Sequence, residues 1–342
     1  FPKELMDILN ADYGIIGEGE RLILLLKALE DNRDISDIPG IITRETNAAI
    51  PDPWNNEFTR IFNPENRYIQ LYLQKGGMLN LQTKRGCPFE CIYCTYPHIE
   101  GKHLRLICPD DVANTAKMLQ EAGAKYLFIT DSAFNSSYSH SIDVARAFIN
   151  AGISIPWGAF FAPTKPPHDF YRIMADAGLT HVEFGTESMC NDILKSYKKP
   201  FNLNELFTAH RSASDAGLHI AHYLLLGGPD ESDRTINETL ENADKLDKSV
   251  FFFFCGIRIY PHTELYDIAI KERQISDTDR LIEPIFYNSQ NLTSDEIIKR
   301  VEKHADGRPN WVIGAGGEKT AKILERMYTR GRYGPLWEHL IP

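Results

Sequence analysis

Thr83-Lys84-Arg85-Gly86-Cys87-Pro88-Phe89-Glu90-Cys91-Ile92-Tyr93-Cys94 carries three of the six cysteines in a chain of 342 residues, spaced C-x3-C-x2-C. Three thiolates on one short loop can grip three irons of a cubane cluster, which ordinarily takes four cysteines. The missing fourth protein ligand leaves one iron open to a small molecule, by the logic that keeps a catalytic zinc site open. Gly86 and Pro88 permit a tight loop, and Tyr93 sets an aromatic ring just before the last thiol. Zinc is the competing reading, but zinc knuckles come as paired C-x2-C elements or with histidines near by, and no second pair is present.

Outward from this loop, the sequence alternates short apolar runs with helical periodicity, which predicts parallel βα units. Six strands are expected, near Met78–Thr83, Lys125–Thr130, Ile153–Phe161, His181–Gly185, His219–Leu226 and Val250–Tyr260. Helical stretches such as Pro109–Glu121 and Leu203–Ala216 lie between them. Helical crossovers of this kind are right-handed, so the expected fold class is α/β, a partial (β/α)6 barrel of TIM-like character. In such folds chemistry sits at the C-terminal strand ends, and the cysteine loop directly follows strand one.

Composition narrows the function. Hydrophobic residues make up 43% and charged residues 25%, as in ordinary globular proteins. A net charge of -10 argues against broad binding to nucleic-acid phosphates, so no nucleic-acid partner is expected. No apolar run approaches the roughly 20 residues of a membrane span, and no secretory signal is visible. A cluster loop asks for a reducing compartment, and a cytoplasmic location is expected. Cys108, Cys190 and Cys255 are isolated and read as small buried thiols. The chain opens at Phe1 in a helix-like pattern, which reads as part of a longer protein.

The cysteine stretch resembles the radical S-adenosylmethionine (SAM) superfamily, whose signature is this spacing with an aromatic at the position of Tyr93. The resemblance implies a [4Fe-4S] cluster on Cys87, Cys91 and Cys94, with SAM on the open iron. It also implies an electron donor such as flavodoxin or ferredoxin. Gly17-Glu18-Gly19-Glu20 ahead of a helical Arg21–Leu29 resembles the end of the Rossmann-like cobalamin-binding domain found in one subgroup. The D-x-H-x-x-G loop of that domain is absent, and no histidine precedes His98, so cobalamin binding stays open and would belong to a full-length protein. The expected organisation is a cobalamin-domain remnant at 1–30, a linker at 31–77, the barrel at 78–276 and an accessory helical region at 277–342. Asn310-Trp311 and Gly334-Pro335-Leu336-Trp337-Glu338 resemble the C-terminal segment of lipid-biosynthesis B12-binding radical SAM proteins. Three roles fit that tail: closing the open side of the barrel, capping substrate, or packing as an accessory subdomain.

The same resemblance implies roles at the strand ends. Asp131 and Ser132 follow strand two, where polar groups meet the SAM ammonium; a helix N-cap is the competing reading. Glu183, Gly185 and Glu187 share one face of strand four. The resemblance puts the SAM ribose near Glu187, while Glu183 is expected to neutralise a barrel cation such as Arg258. Leu226 and Gly227 open a turn where the backbone passes the adenine, a close approach that glycine permits. A phosphate-binding loop competes there, but no G-K-[ST] follows. His222 reads as a core histidine or a substrate contact, and Arg258 and Tyr260 as substrate contacts. Phe251 to Phe254 need no cause beyond a buried parallel strand, although they would also wall a greasy pocket. The expected activity is reductive cleavage of SAM for methylation, C–C bond formation or cyclisation on an apolar, lipid-like substrate. The alternatives are a non-catalytic iron–sulfur electron-transfer protein and a tRNA-modifying methylthiotransferase-like enzyme.

Overall fold

Seven strands build one parallel sheet, and in sequence order they are β1 (Met78–Leu81), β2 (Tyr126–Ile129), β3 (Trp157–Phe161), β4 (Leu179–Glu187), β5 (His219–Leu226), β6 (Ser249–Cys255) and β7 (Trp311–Ile313). Each lies beside its predecessor in the chain, so the spatial order is β7-β6-β5-β4-β3-β2-β1 and the sheet is open. This computed structural model describes residues 2–46, 50–54, 63, 65–314 and 317–342. Parts of the expected linker, 47–49, 55–62 and 64, lie outside the described residues.

Six strands were expected, and the seventh is the correction. Trp311–Ile313 pairs in parallel with β6 through Phe251↔Trp311, Phe252↔Val312 and Phe253↔Ile313. Three residues are too few to show a period of two, so the pattern of the tail hid it. The region from 277 is therefore not purely helical. A helix at Arg67–Gly76, capped by the Asn66 side chain at the Tyr68 N–H, occupies the end of the expected linker.

Helices cross between the strands: α1 (Pro109–Glu121), α2 (Tyr138–Ala151), α3 (Phe170–Asp176), α4 (Leu203–Asp215), α5 (Asp233–Ala243) and α6 (Ser294–Ala305). Side chains alternate across a strand, and the two faces of the sheet differ. Leu127, Ile129, Trp157, Phe161, Val182, Phe184 and Ile220 form the helix-covered core and are buried. Trp157 makes edge contacts with Phe134 and Phe148 and donates its indole N–H to Ala177 O at 2.8 Å. Burying each such aromatic is worth roughly 2–3 kcal/mol.

The other, inner face is wetter and aromatic. Phe128, Tyr223, Phe252 and Phe254 are half-buried, and Phe160 is 38% exposed. Near the strand starts this face is covered by the short turn Trp337–Leu340, whose Trp337 packs on Ala221 and Val250. Tyr126 reaches across β3 to place its hydroxyl 3.0 Å from His181 Nδ1. Only glycine allows this at Gly158, where a Cβ would stand 2.2 Å from the Tyr126 oxygen. Trp337 of the tail lies against the inner face.

The sheet with its helices makes up one compact unit, residues Thr59–Lys84, Leu106–Ile257 and Phe286–Pro342. The second is assembled from Phe1–Phe58, Arg85–Arg105 and Arg258–Ile285. There the helix Pro2–Leu9 precedes a two-stranded antiparallel ladder, Gly14↔Ile42 and Ile15↔Ile41, and the helix Arg21–Glu30 follows the first of these strands. The strand, Gly-rich turn and helix read from residues 12–29 are all present.

Candidate active site

The cysteine loop belongs to the second unit. Cys87 is buried, Cys91 and Cys94 are half-buried, and none of the three is in a disulfide. The loop closes on itself: Cys87 N–H donates to Gly101 O and Cys94 N–H to Cys91 O, both at 3.1 Å. Gly86 has a φ of +87°, and a Cβ there would lie 2.2 Å from His103 O, so no other residue fits without moving the loop. Its N–H donates to Glu100 Oε2 at 3.1 Å. Ile92 O accepts from Leu265 N–H at 2.8 Å, which ties the loop to the segment after Tyr260. Tyr93 is half-buried. In that later segment the Arg258 guanidinium lies 4.7 Å from the Tyr260 ring centre, so these two expected substrate contacts are brought together.

In the sheet unit, Asp131 has a different part from the one expected. Its carboxylate accepts from Thr83 N–H at 2.8 Å, Thr83 Oγ1 at 2.5 Å and Lys84 Nζ at 2.7 Å. The cation facing it is thus the chain's own Lys84, whose side chain is 1% exposed and also donates to Phe134 O at 2.6 Å. Asp131 fastens the turn after β1 to the end of β2. Ser132 beside it is half-buried.

Glu183 is buried, but its partners are not the expected cation. Trp337 Nε1 donates to it at 3.0 Å and Tyr223 OH at 2.9 Å. Burial raises its pKa against the lowering effect of these two donors. Glu187 sits just past a register shift, at a φ of +61°, and pairs with Lys199 Nζ at 3.1 Å.

His222 points to the helix side. It is fully buried, stacked on Phe184 and Phe251, and bonded to Thr186 Oγ1 at 2.8 Å and His210 Nδ1 at 3.0 Å. Burial holds its pKa well below the ordinary histidine value. It is a core histidine. Leu226 ends β5 buried, and the Gly227 N–H faces Glu231 Oε2 at 3.4 Å. The turn folds around its own carboxyl group. Burial pushes the Glu231 carboxyl up to about 7. Of the isolated cysteines, Cys190 is buried and Cys255 half-buried, but Cys108 is exposed.

Sequence reasoning missed Lys84, the donors to Glu183, and the salt bridges that hold the loop ends, because each pairs residues far apart in the chain. Among the described residues, no three His, Cys, Asp or Glu side chains are gathered tightly enough to hold a single metal ion.

Residues 81–243 match the Radical SAM superfamily. They are a radical SAM domain. Over 304 residues the chain is 26% identical to an uncharacterised methyltransferase of Pyrococcus horikoshii, covering 85% of this chain and 66% of that protein. Over 270 residues it is 26% identical to the cytidylyl-2-hydroxyethylphosphonate methyltransferase of Streptomyces wedmorensis, covering 67% and 50%. The chain thus spans about half to two thirds of these relatives. Its fold superposes on the radical SAM methyltransferase TsrM of Kitasatospora setae, solved with cobalamin and a [4Fe-4S] cluster bound. The TM-score is 0.83 at 19% identity, over 99% of this chain and 76% of that one. The radical SAM superfamily uses a [4Fe-4S] cluster and SAM, and the donor set here fits: three thiols, two of them half-exposed, on one loop.

Proposed function

We propose that this chain is the radical SAM part of a cobalamin-associated methyltransferase acting on an apolar substrate. The observation that carries this reading is the set of three thiols, Cys87, Cys91 and Cys94, on one loop that closes on itself. They would hold the [4Fe-4S] cluster through three irons and leave the fourth to SAM. When bound, the cluster supplies one electron for reductive cleavage of SAM, from a donor such as flavodoxin or ferredoxin. The protein's share is to bind, orient and exclude water. Tyr93, Ser132, Glu187, Leu226 and Gly227 are proposed to contact SAM. Arg258 and Tyr260 are proposed to contact substrate. Residues 1–30 are proposed to be the end of a cobalamin-binding domain.

An apolar substrate, a lipid among them, is supported by the half-buried aromatics of the inner face, Phe128, Phe160, Tyr223, Phe252 and Phe254. Methylation is favoured over cyclisation by the names of the similar proteins. Thiols and an air-sensitive cluster suit the reducing cytoplasm. The test is anaerobic reconstitution with iron and sulfide, followed by reduction in the presence of SAM. The expected result is about four irons per chain and release of 5′-deoxyadenosine or S-adenosylhomocysteine. Iron-loaded protein that leaves SAM untouched would return the chain to the electron-transfer reading.

A further inference from the structure

Residues 86–104 bury few of their side chains. They contain one short helix, Tyr96–Ile99, and only Gly86, Cys87 and Ile92 are buried. The residues at each end, Arg85 and Arg105, converge on a single carboxylate. Glu18 Oε1 accepts from Arg85 Nη1 at 2.8 Å and from Arg105 Nη1 at 3.0 Å, and Glu18 Oε2 lies 2.9 Å from the same Arg105 nitrogen. The Trp54 N–H adds a bond to Glu18 Oε2 at 2.6 Å. The Glu18 side chain is 4% exposed, and the two arginine side chains are 17% and 13% exposed. Arg105 also donates to the carbonyls of Trp54 and Glu100. Glu100 in turn takes the Gly86 N–H, one residue before Cys87.

We infer that Glu18 is a positioning residue for the cysteine loop, a buried anion that brings both ends of the loop to one point and so sets the spacing of the thiols. This rests on the reading of Cys87, Cys91 and Cys94 as cluster ligands. Charge-assisted bonds are about twice as strong as neutral ones, and a clamp of this kind substitutes for the apolar core that the loop lacks. Glu20 is a lesser partner: it bonds Arg85 at 2.5 Å and is 26% exposed. Glu18 pairs with both Arg85 and Arg105, and Glu20 with Arg85. Burial raises the Glu18 pKa, but the bonds from Arg105, Trp54 and Arg85 outweigh it, so Glu18 stays ionised.

The test compares Glu18→Gln with Glu20→Gln in the whole chain, by three measurements. These are amide hydrogen exchange over 86–104 in metal-free protein, iron per chain after reconstitution, and the cluster midpoint potential. Glu18→Gln is expected to speed loop exchange roughly tenfold while the sheet strands keep their protection. It should also lower iron uptake and move the potential of the cluster that does form to more positive values, since a nearby anion is lost. Glu20→Gln should do little. Arg105→Gln should reproduce the exchange effect, and it carries the test if Glu18→Gln is insoluble. Unchanged exchange and potential in folded Glu18→Gln would overturn the inference. Should the unmodified protein fail to take up iron while loop exchange still depends on Glu18, the cluster reading would fall and the clamp would stand.

Discussion

The parallel sheet and the cysteine loop are ordered by opposite means. The sheet rests on apolar burial: Trp157, Phe134, Phe148, Phe161 and Phe184 have almost no exposure and pack edge to face. The loop rests on arginine–carboxylate pairs, a glycine in the left-handed region and a few backbone bonds. Apolar burial is non-directional and tolerates drift of a few tenths of an ångström; charge-assisted bonds fix distance and angle. A scaffold can use the first, whereas three thiols that share one cofactor need the second.

Three experiments would break or sharpen this contrast. The largest effect is expected from changing Cys87, Cys91 or Cys94 to Ala. Each should abolish cluster uptake and the brown colour while the thermal midpoint of the metal-free protein stays within error. A large fall in that midpoint would mean that the thiols help build the scaffold.

Next comes the polar exception inside the scaffold, Lys84 with Asp131. Lys84→Met leaves a buried carboxylate without its counter-charge and should cost about 3–5 kcal/mol in urea unfolding. The double change Lys84→Met with Asp131→Leu should recover part of that loss. If the single change is silent, the pair does not hold the turn after β1.

The smallest effect concerns Glu231, whose carboxyl burial raises from 4.5 to about 7. Between those values the folded protein keeps a proton that the unfolded chain releases. Stability should therefore fall as pH rises through this window and level off above it, by up to about 3 kcal/mol. Glu231→Gln should flatten the curve measured from about pH 5 to about pH 8; an unchanged slope would assign it to other groups.

Legibility in the sequence followed how local each signal was. The cysteine spacing, the six longer strands and their crossover helices are written in short windows, where period and turn chemistry suffice. The strand Trp311–Ile313 was too short for any window. Asp131 was read as a ligand for an outside cation because its partner, Lys84, lies 47 positions earlier. Glu183 was given Arg258 because charge suggested it, but an indole and a phenol neutralise nothing and still satisfy a buried carboxyl. His222 came out on the side that counting by twos along β5 leaves open until one knows which face the helices cover.

The bond from Trp337 to Glu183 spans 154 positions of chain. During synthesis β4 emerges long before the indole that satisfies its buried carboxyl, and domains begin to fold as they leave the ribosome. The inner face of the sheet is therefore completed late: until residue 337 is free, Glu183 is solvated and the strand starts lie open. A nascent chain stalled before that point would carry a formed helix-side core and an unfinished floor, a state for a chaperone to shield.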